Sequence, residues 1–181
     1  MKLLTEINLH PEIPCEKHKI YRRTRAILLN DKGEIAANHE TQYNFHTLIG
    51  GGIEPGQTIL ECLACECMEE AGANIQTVGE LGLILQQRNN QGKFVIDYCF
   101  VAKVVGELCE PCYTQDEKDH GCKLVWYTPE QAIKVYESEL ARKFADCPNM
   151  PAQRFSDHQY MGTRDLALIK AYLNSEYSKQ V

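Results

Sequence analysis

Glu66, Glu69 and Glu70 fall within one stretch of the 181-residue chain that reads as a helix. Spaced i, i+3 and i+4, they share a helix face. Three like charges on one face repel, and folding alone gives no reason for them. A hard divalent cation would convert that repulsion into a site, since such ions gather carboxylate and carbonyl oxygens. The run Gly50-Gly51-Gly52-Ile53-Glu54-Pro55-Gly56 lies just ahead. Its glycines let the backbone come close and present a carbonyl. From these residues alone two readings stand open. One is a cation site, and the other is a solvated acidic face, which is what charged helix faces most often are.

The helix that carries the glutamates has clear ends. It is expected over residues 56–72, with Thr58 as N-cap, Glu61 completing a capping box and Gly72 as the left-handed C-terminal residue. Leu60, Leu63, Ala64, Cys67 and Ala71 are spaced as one apolar face, with the glutamates opposite. Ahead of it, residues 19–49 hold the N-terminal strands. These are 19–29, a turn at Asn30-Asp31-Lys32-Gly33, a partner strand over 34–39 and an extended piece over 45–49. Behind it, residues 81–88 and 94–105 flank Asn89-Asn90-Gln91-Gly92 as a hairpin, and 122–127 form a further strand. Thr128-Pro129-Glu130-Gln131 opens a second helix, about 129–142, by the same capping logic. A loop over 146–162 precedes a last helix over 163–174. Strands and helices mix without strict alternation. The expected class is therefore α+β, a mixed β-sheet packed between helices as an α/β/α sandwich, in one domain spanning residues 1–181.

Residues 51–73 resemble the Nudix box: Gly, five residues, Glu, seven residues, Arg-Glu-apolar-any-Glu-Glu-any-Gly-apolar. Gly51 takes the first position, and Glu66, Glu69, Glu70 and Gly72 fall where the box has them. Gln57 stands in place of the first box glutamate, Cys65 in place of the arginine, and Ile49 where a proline often precedes the glycines. In the family that glutamate and arginine brace the loop against the helix. With both replaced together no charge is stranded, which points to a different brace. The strand and hairpin from residue 25, the strand at 124–126 and the helix start at 163–166 look like one bacterial, MutT-like branch. The resemblance covers most of the chain.

The resemblance implies the Nudix fold and a hydrolase that uses Mg²⁺, with Mn²⁺ as the other candidate ion. The implied substrate is a nucleoside diphosphate linked to another moiety, cut at its phosphoanhydride bond. Glu66, Glu69, Glu70 and the Gly51 carbonyl would hold the metal, and a carboxylate would take the proton of an activated water. Family members use a box glutamate or an acid from a distant loop as that base. Asp116-Glu117-Lys118-Asp119-His120 is the matching loop, and Glu117 is the residue chosen from it. His46, Arg88 and Tyr98 are candidate substrate contacts. The rival reading is an attenuated module that binds a nucleotide or a protein partner, favoured by Gln57 and Cys65. A homodimer is the assembly that the family suggests.

Composition sets outer bounds. The net charge is -6 with no basic stripe, which argues against a nucleic-acid polymer as partner. No apolar run approaches the ~20 residues of a membrane span, and residues 1–11 lack a signal-peptide core, so a cytoplasmic location is expected. The nine cysteines then read as reduced thiols. Cys62 with Cys65, and Cys109 with Cys112, are both C-x-x-C pairs. The first lies within the helix, where no knuckle turn is available to hold zinc.

Overall fold

The computed structural model describes residues 1–179. Seven strands form one sheet. They are β1 (Leu3–Ile7), β2 (Lys19–Leu29), β3 (Ile35–Glu40), β4 (Phe45–Leu48), β5 (Ile75–Arg88), β6 (Lys93–Val104) and β7 (Cys122–Tyr127). The order across the sheet is β1-β5-β6-β2-β3-β4, with β7 also paired to β3. The sheet is mixed: β1 runs parallel to β5 and β2 parallel to β6, while the other pairs are antiparallel. Helices α1 (Ile59–Ala71), α2 (Gln115–Asp119), α3 (Pro129–Leu140) and α4 (Ala152–Leu173) complete the expected α+β architecture.

Strand alternation divides the core in two. Ala26 and Leu28 of β2 point to one face, where they meet Leu63, Cys67 and Ala71 of α1. Ile27 and Leu29 point to the other, where they meet Ala132 and Tyr136 of α3 and Leu168, Ile169 and Tyr172 of α4. β2 and β3 register only at Leu29 and Ile35. Below that point the sheet opens, and residues 49–53 take the vacated edge of β2. The N–H of Ala26 donates to the Ile49 carbonyl (2.9 Å), that of Thr24 to Gly51 (3.0 Å), and that of Ile53 to Arg22 (3.0 Å).

Thr58 and Glu61 form the expected capping box on α1, and Thr128 with Gln131 forms the one on α3. Gly72 ends α1 at φ 60°. Three expectations change. The last helix begins at Ala152, not at residue 163. Thr163 lies in its interior, bonded through its hydroxyl to the Gln159 carbonyl one turn back, and Gly162 lets the helix pass close to Leu140 of α3. The turn-forming composition of the preceding stretch is overridden by packing against α3 and the sheet. The buried stripe of α1 is Cys62, Leu63, Cys67 and Ala71, whereas Leu60 and Ala64 are exposed. The glutamates are therefore not opposite the apolar face. Strand β1 was outside the sequence reading, and residues 116–119, read as part of a loop, belong to the short helix α2, because five residues give too little periodicity to register.

The loop after β6 seals the end of α1. The Cys109 N–H donates to the Gly72 carbonyl (2.8 Å) and the Cys112 N–H to the Glu69 carbonyl (2.7 Å). A Cβ on Gly72 would stand 2.0 Å from the Cys109 carbonyl oxygen. Gly72→Ala is expected to lower unfolding free energy by at least about 1–2 kcal/mol, the cost of a left-handed L residue. An unchanged midpoint in urea would contradict this packing.

Candidate active site

On α1 the i, i+4 rows run as parallel ridges. Leu63, Cys67 and Ala71 make the core ridge. Next to it lie Cys62, Glu66 and Glu70, which face the glycine loop. Glu61, Cys65 and Glu69 form an exposed ridge beyond. Glu66 and Glu70 are thus half-buried at the border of the core, and Glu69 flanks them from solvent.

The loop is built around these carboxylates. A Cβ on Gly51 would meet Glu66 Oε1 at 2.2 Å, so only glycine lets that carboxylate lie against the backbone. The Gly50 N–H donates to Glu70 Oε2 (2.7 Å), which puts the Glu70 carboxyl beneath the loop. The Gly51 carbonyl, expected as a ligand, already accepts from Thr24 and has one lone pair left for a cation.

The brace differs from the family pattern. Gln57 Oε1 accepts from the Glu54 N–H (3.1 Å) within the loop, and Cys65 is exposed. Neither joins loop to helix. Cys62 does so instead: its thiol donates to the Gly52 carbonyl (3.4 Å) and accepts from the Thr24 hydroxyl (3.4 Å). Arg25, 5% exposed, is the positive charge that bears most on both glutamates. Its alternation with Ile27 and Leu29 was the signal that it points inward.

Electrostatics reflect crowding. Burial, opposed by Arg25 and reinforced by Glu69 and Glu117, raises the Glu66 carboxyl above the ordinary range. Burial pushes Glu70 up to about 8, against the pull of Arg25 and the Gly50 N–H. Glu117 is close enough for its charge to add to both shifts. Its Oε2 caps α2, accepting from the Thr114 N–H (2.7 Å) and hydroxyl (2.8 Å).

The other candidates are elsewhere. His46 points to the α3 side, where Nδ1 pairs with Glu139 Oε1 (2.5 Å) and Nε2 with the Tyr127 hydroxyl (3.0 Å). Both ring nitrogens are occupied, so it supports the α3 interface instead of lining the loop. Arg88 is 2% exposed on the α4 side, bonded to Gln86 and Asp157. Tyr98 lies on the α1 side under the Arg22 guanidinium, 5.4 Å from ring centroid to Cζ. Arg88 and Tyr98 are thus on opposite faces and do not frame one ligand. Among the described residues no three His, Cys, Asp or Glu side chains are already gathered around one point, Glu66, Glu69 and Glu70 included.

The NUDIX domain family model matches residues 20–146, which hold the glycine loop, α1 and Glu117. The chain belongs to the Nudix family. Solved structures agree on the Nudix fold. A NUDIX hydrolase from Nitrosomonas europaea superposes with a TM-score of 0.61 at 14% identity, covering 86% of this chain and 90% of that one. An ADP-ribose pyrophosphatase from Streptococcus suis gives 0.52 at 15% identity, covering 86% and 93%. A UDP-X diphosphatase gives 0.54 at 16%, covering 92% and 68%. No curated protein sequence matches the chain. Among the described residues no helix is long and apolar enough to cross a membrane.

The raised Glu70 value has a consequence for stability. A carboxyl held above its ordinary 4.5 contributes stability below that value, and the contribution is lost as pH rises through about 8. In chelator, the wild-type Tm is expected to fall more steeply between roughly pH 5 and pH 9 than that of Glu70→Gln, which has no proton to lose. Parallel Tm profiles would count against the buried carboxyl.

Proposed function

We propose that this Nudix enzyme is a Mg²⁺-dependent pyrophosphohydrolase acting on a nucleoside diphosphate linked to another moiety. The observation that carries the reading is the seating of Glu66 and Glu70 against the glycine loop, with Glu117 within electrostatic reach of both. Carboxylates seated at a half-buried border are groups that a divalent cation would balance. The donor set of carboxylates and a backbone carbonyl is oxygen only, which suits Mg²⁺ and Mn²⁺.

Glu66, Glu69 and Glu70, with the remaining lone pair of the Gly51 carbonyl, would hold the ion. Bound there, it would neutralise charge on the diphosphate and lower the pKa of a coordinated water. The chain does the rest. The Cys62 bridge holds loop to helix, which keeps Glu66 aimed at the substrate diphosphate. Glu117 Oε2 is engaged by Thr114, and Oε1 is left to accept the proton of the attacking water. Arg25 partly opposes the burial that favours the protonated forms of Glu66 and Glu70.

The test is release of phosphate or pyrophosphate from a panel of nucleoside diphosphate derivatives, with Mg²⁺ and with chelator. Turnover is expected to need the metal and to drop by on the order of 100-fold or more in Glu66→Gln, as loss of charge at the reacting centre implies. Glu117→Gln is expected to lower kcat by about 100-fold with KM little changed, the size of a general-base contribution. No turnover on any compound, with nucleotide binding intact, would leave the attenuated binding module as the reading.

A further inference from the structure

The α4 face of the sheet carries a buried cluster of charge, and its Arg23 and Arg25 are within electrostatic reach of Glu66. Arg23 and Arg25 project from β2, Asp97 from β6, Gln86 and Arg88 from β5, and Arg164 and Asp165 from α4. Most of these groups are paired. Arg164 forks onto Asp165 (2.7 and 2.9 Å), and Asp165 also accepts from the Leu48 N–H (2.9 Å). Arg88 bonds Gln86 and Asp157, and Gln86 donates to Asp97. Arg25 approaches Asp97 only loosely, at 3.5 Å, and Arg164 reaches the same oxygen at 3.8 Å. Arg25 Nε, Arg164 Nη1 and Asp97 Oδ1 are buried and make no hydrogen bond.

Arg23 is different. Four guanidiniums face three carboxylates here, and Arg23 is the one left over. Among the described residues its side chain has no hydrogen bond and no ion pair. It is half-buried, and burial together with Arg25 brings its pKa down to about 10, so it stays charged at neutral pH. Its backbone bridges Gly52, so the side chain leaves β2 beside the loop that holds Glu66. Desolvating a cation without a counter-charge costs stability, and folding alone gives no return for it. An arriving anion would supply one, and the flat guanidinium fork matches phosphate oxygens.

We propose that Arg23, backed by Arg25 and Arg88, forms a subsite for a phosphoryl group of the substrate beyond the diphosphate that is cut. This rests on the hydrolase reading for its biological meaning. It narrows the substrate class to compounds with a further phosphate, whether in line with the diphosphate or carried on a sugar. A neutral sugar in that position would leave Arg23 unanswered.

The experiment is titration calorimetry on the full chain in chelator, where no metal-dependent turnover interferes. Inorganic tripolyphosphate, inorganic pyrophosphate and ribose 5-phosphate are the probes. Arg23→Gln is expected to weaken binding of tripolyphosphate or of ribose 5-phosphate by about tenfold, the worth of one charge-assisted hydrogen bond. Tripolyphosphate responding places the extra phosphate in line, and ribose 5-phosphate responding places it on the sugar. Arg22→Gln is expected to stay within about twofold, since its exposed side chain faces Tyr98 on the other side of the sheet. Unchanged affinities in Arg23→Gln, equal losses in Arg22→Gln, or no binding of either phosphorylated probe by the wild type would overturn the subsite. Arg23→Lys, which keeps the charge without the fork, is expected to lose about threefold and replaces Arg23→Gln should that variant not fold. Glu66→Gln separates the two proposals: it is expected to keep probe binding while losing turnover. No turnover of any compound by the wild type, with weakened probe binding in Arg23→Gln, would sink the hydrolase reading and leave the subsite standing.

Discussion

Three backbone hydrogen bonds seat residues 49–53 on the edge of β2, and the active-site region is arranged around that seam. A strand edge that has lost its neighbour must find other partners for its N–H and C=O groups. β3 leaves β2 after the pair Leu29 and Ile35, and the glycine segment takes its place. Because this substitute is loop and not strand, its own amides are free to serve side chains on the next element. Gly50 gives its N–H to Glu70, and Gly51 leaves room for Glu66. The acids stand at the border of the core because the seam puts an amide and an open backbone there to receive them.

The two faces of β2 then divide the work. Toward α1, Thr24 and Cys62 tie strand, helix and loop with bonds that involve no net charge. Toward α4, β2 contributes Arg23 and Arg25 at alternate positions, of which Arg25 approaches Asp97, while Asp157 and Asp165 are taken by Arg88 and Arg164. Arg25 serves both sides, since it approaches Asp97 and also bears on Glu66 and Glu70. A neutral brace on one side leaves the positive charge on the other available to the glutamates and to an incoming anion. This is a physical reason why Gln57 and Cys65 are tolerated: the mechanical role has moved to Cys62, and the electrostatic role to Arg25.

The elements with strong periodic patterns and punctuated ends were legible in the sequence. β2, α1 with its capping box, the β5–β6 hairpin turn and the start of α3 all follow from apolar spacing and cap chemistry. The glutamate ridge and the glycine loop were legible as well. Less accessible was anything set by which face packs. The rotation of α1 by one ridge, burying Cys62 and exposing Leu60, depends on the sheet beneath it. The long α4 hid behind turn-forming residues that its packing overrides. His46 and Arg88 look like free polar groups in the chain, yet each is consumed by partners some seventy to ninety residues away. Pairings at that separation leave no local trace in the sequence.

The seal on α1 by Cys109 and Cys112 bears on how the chain could vary. Those two residues pin the segment between β6 and α2 at its middle. On the β6 side of the pin, residues 106–108 are exposed and Gly106 has open space around it, so their number is loosely constrained. On the other side, Tyr113 anchors to Asn38 and Thr114 caps the helix bearing Glu117. Only a few residues there set the reach of Glu117 to the glutamates. Insertions are thus absorbed before the pin and transmitted after it. One half of the connection is open to drift in length, and the other is held to a fixed count.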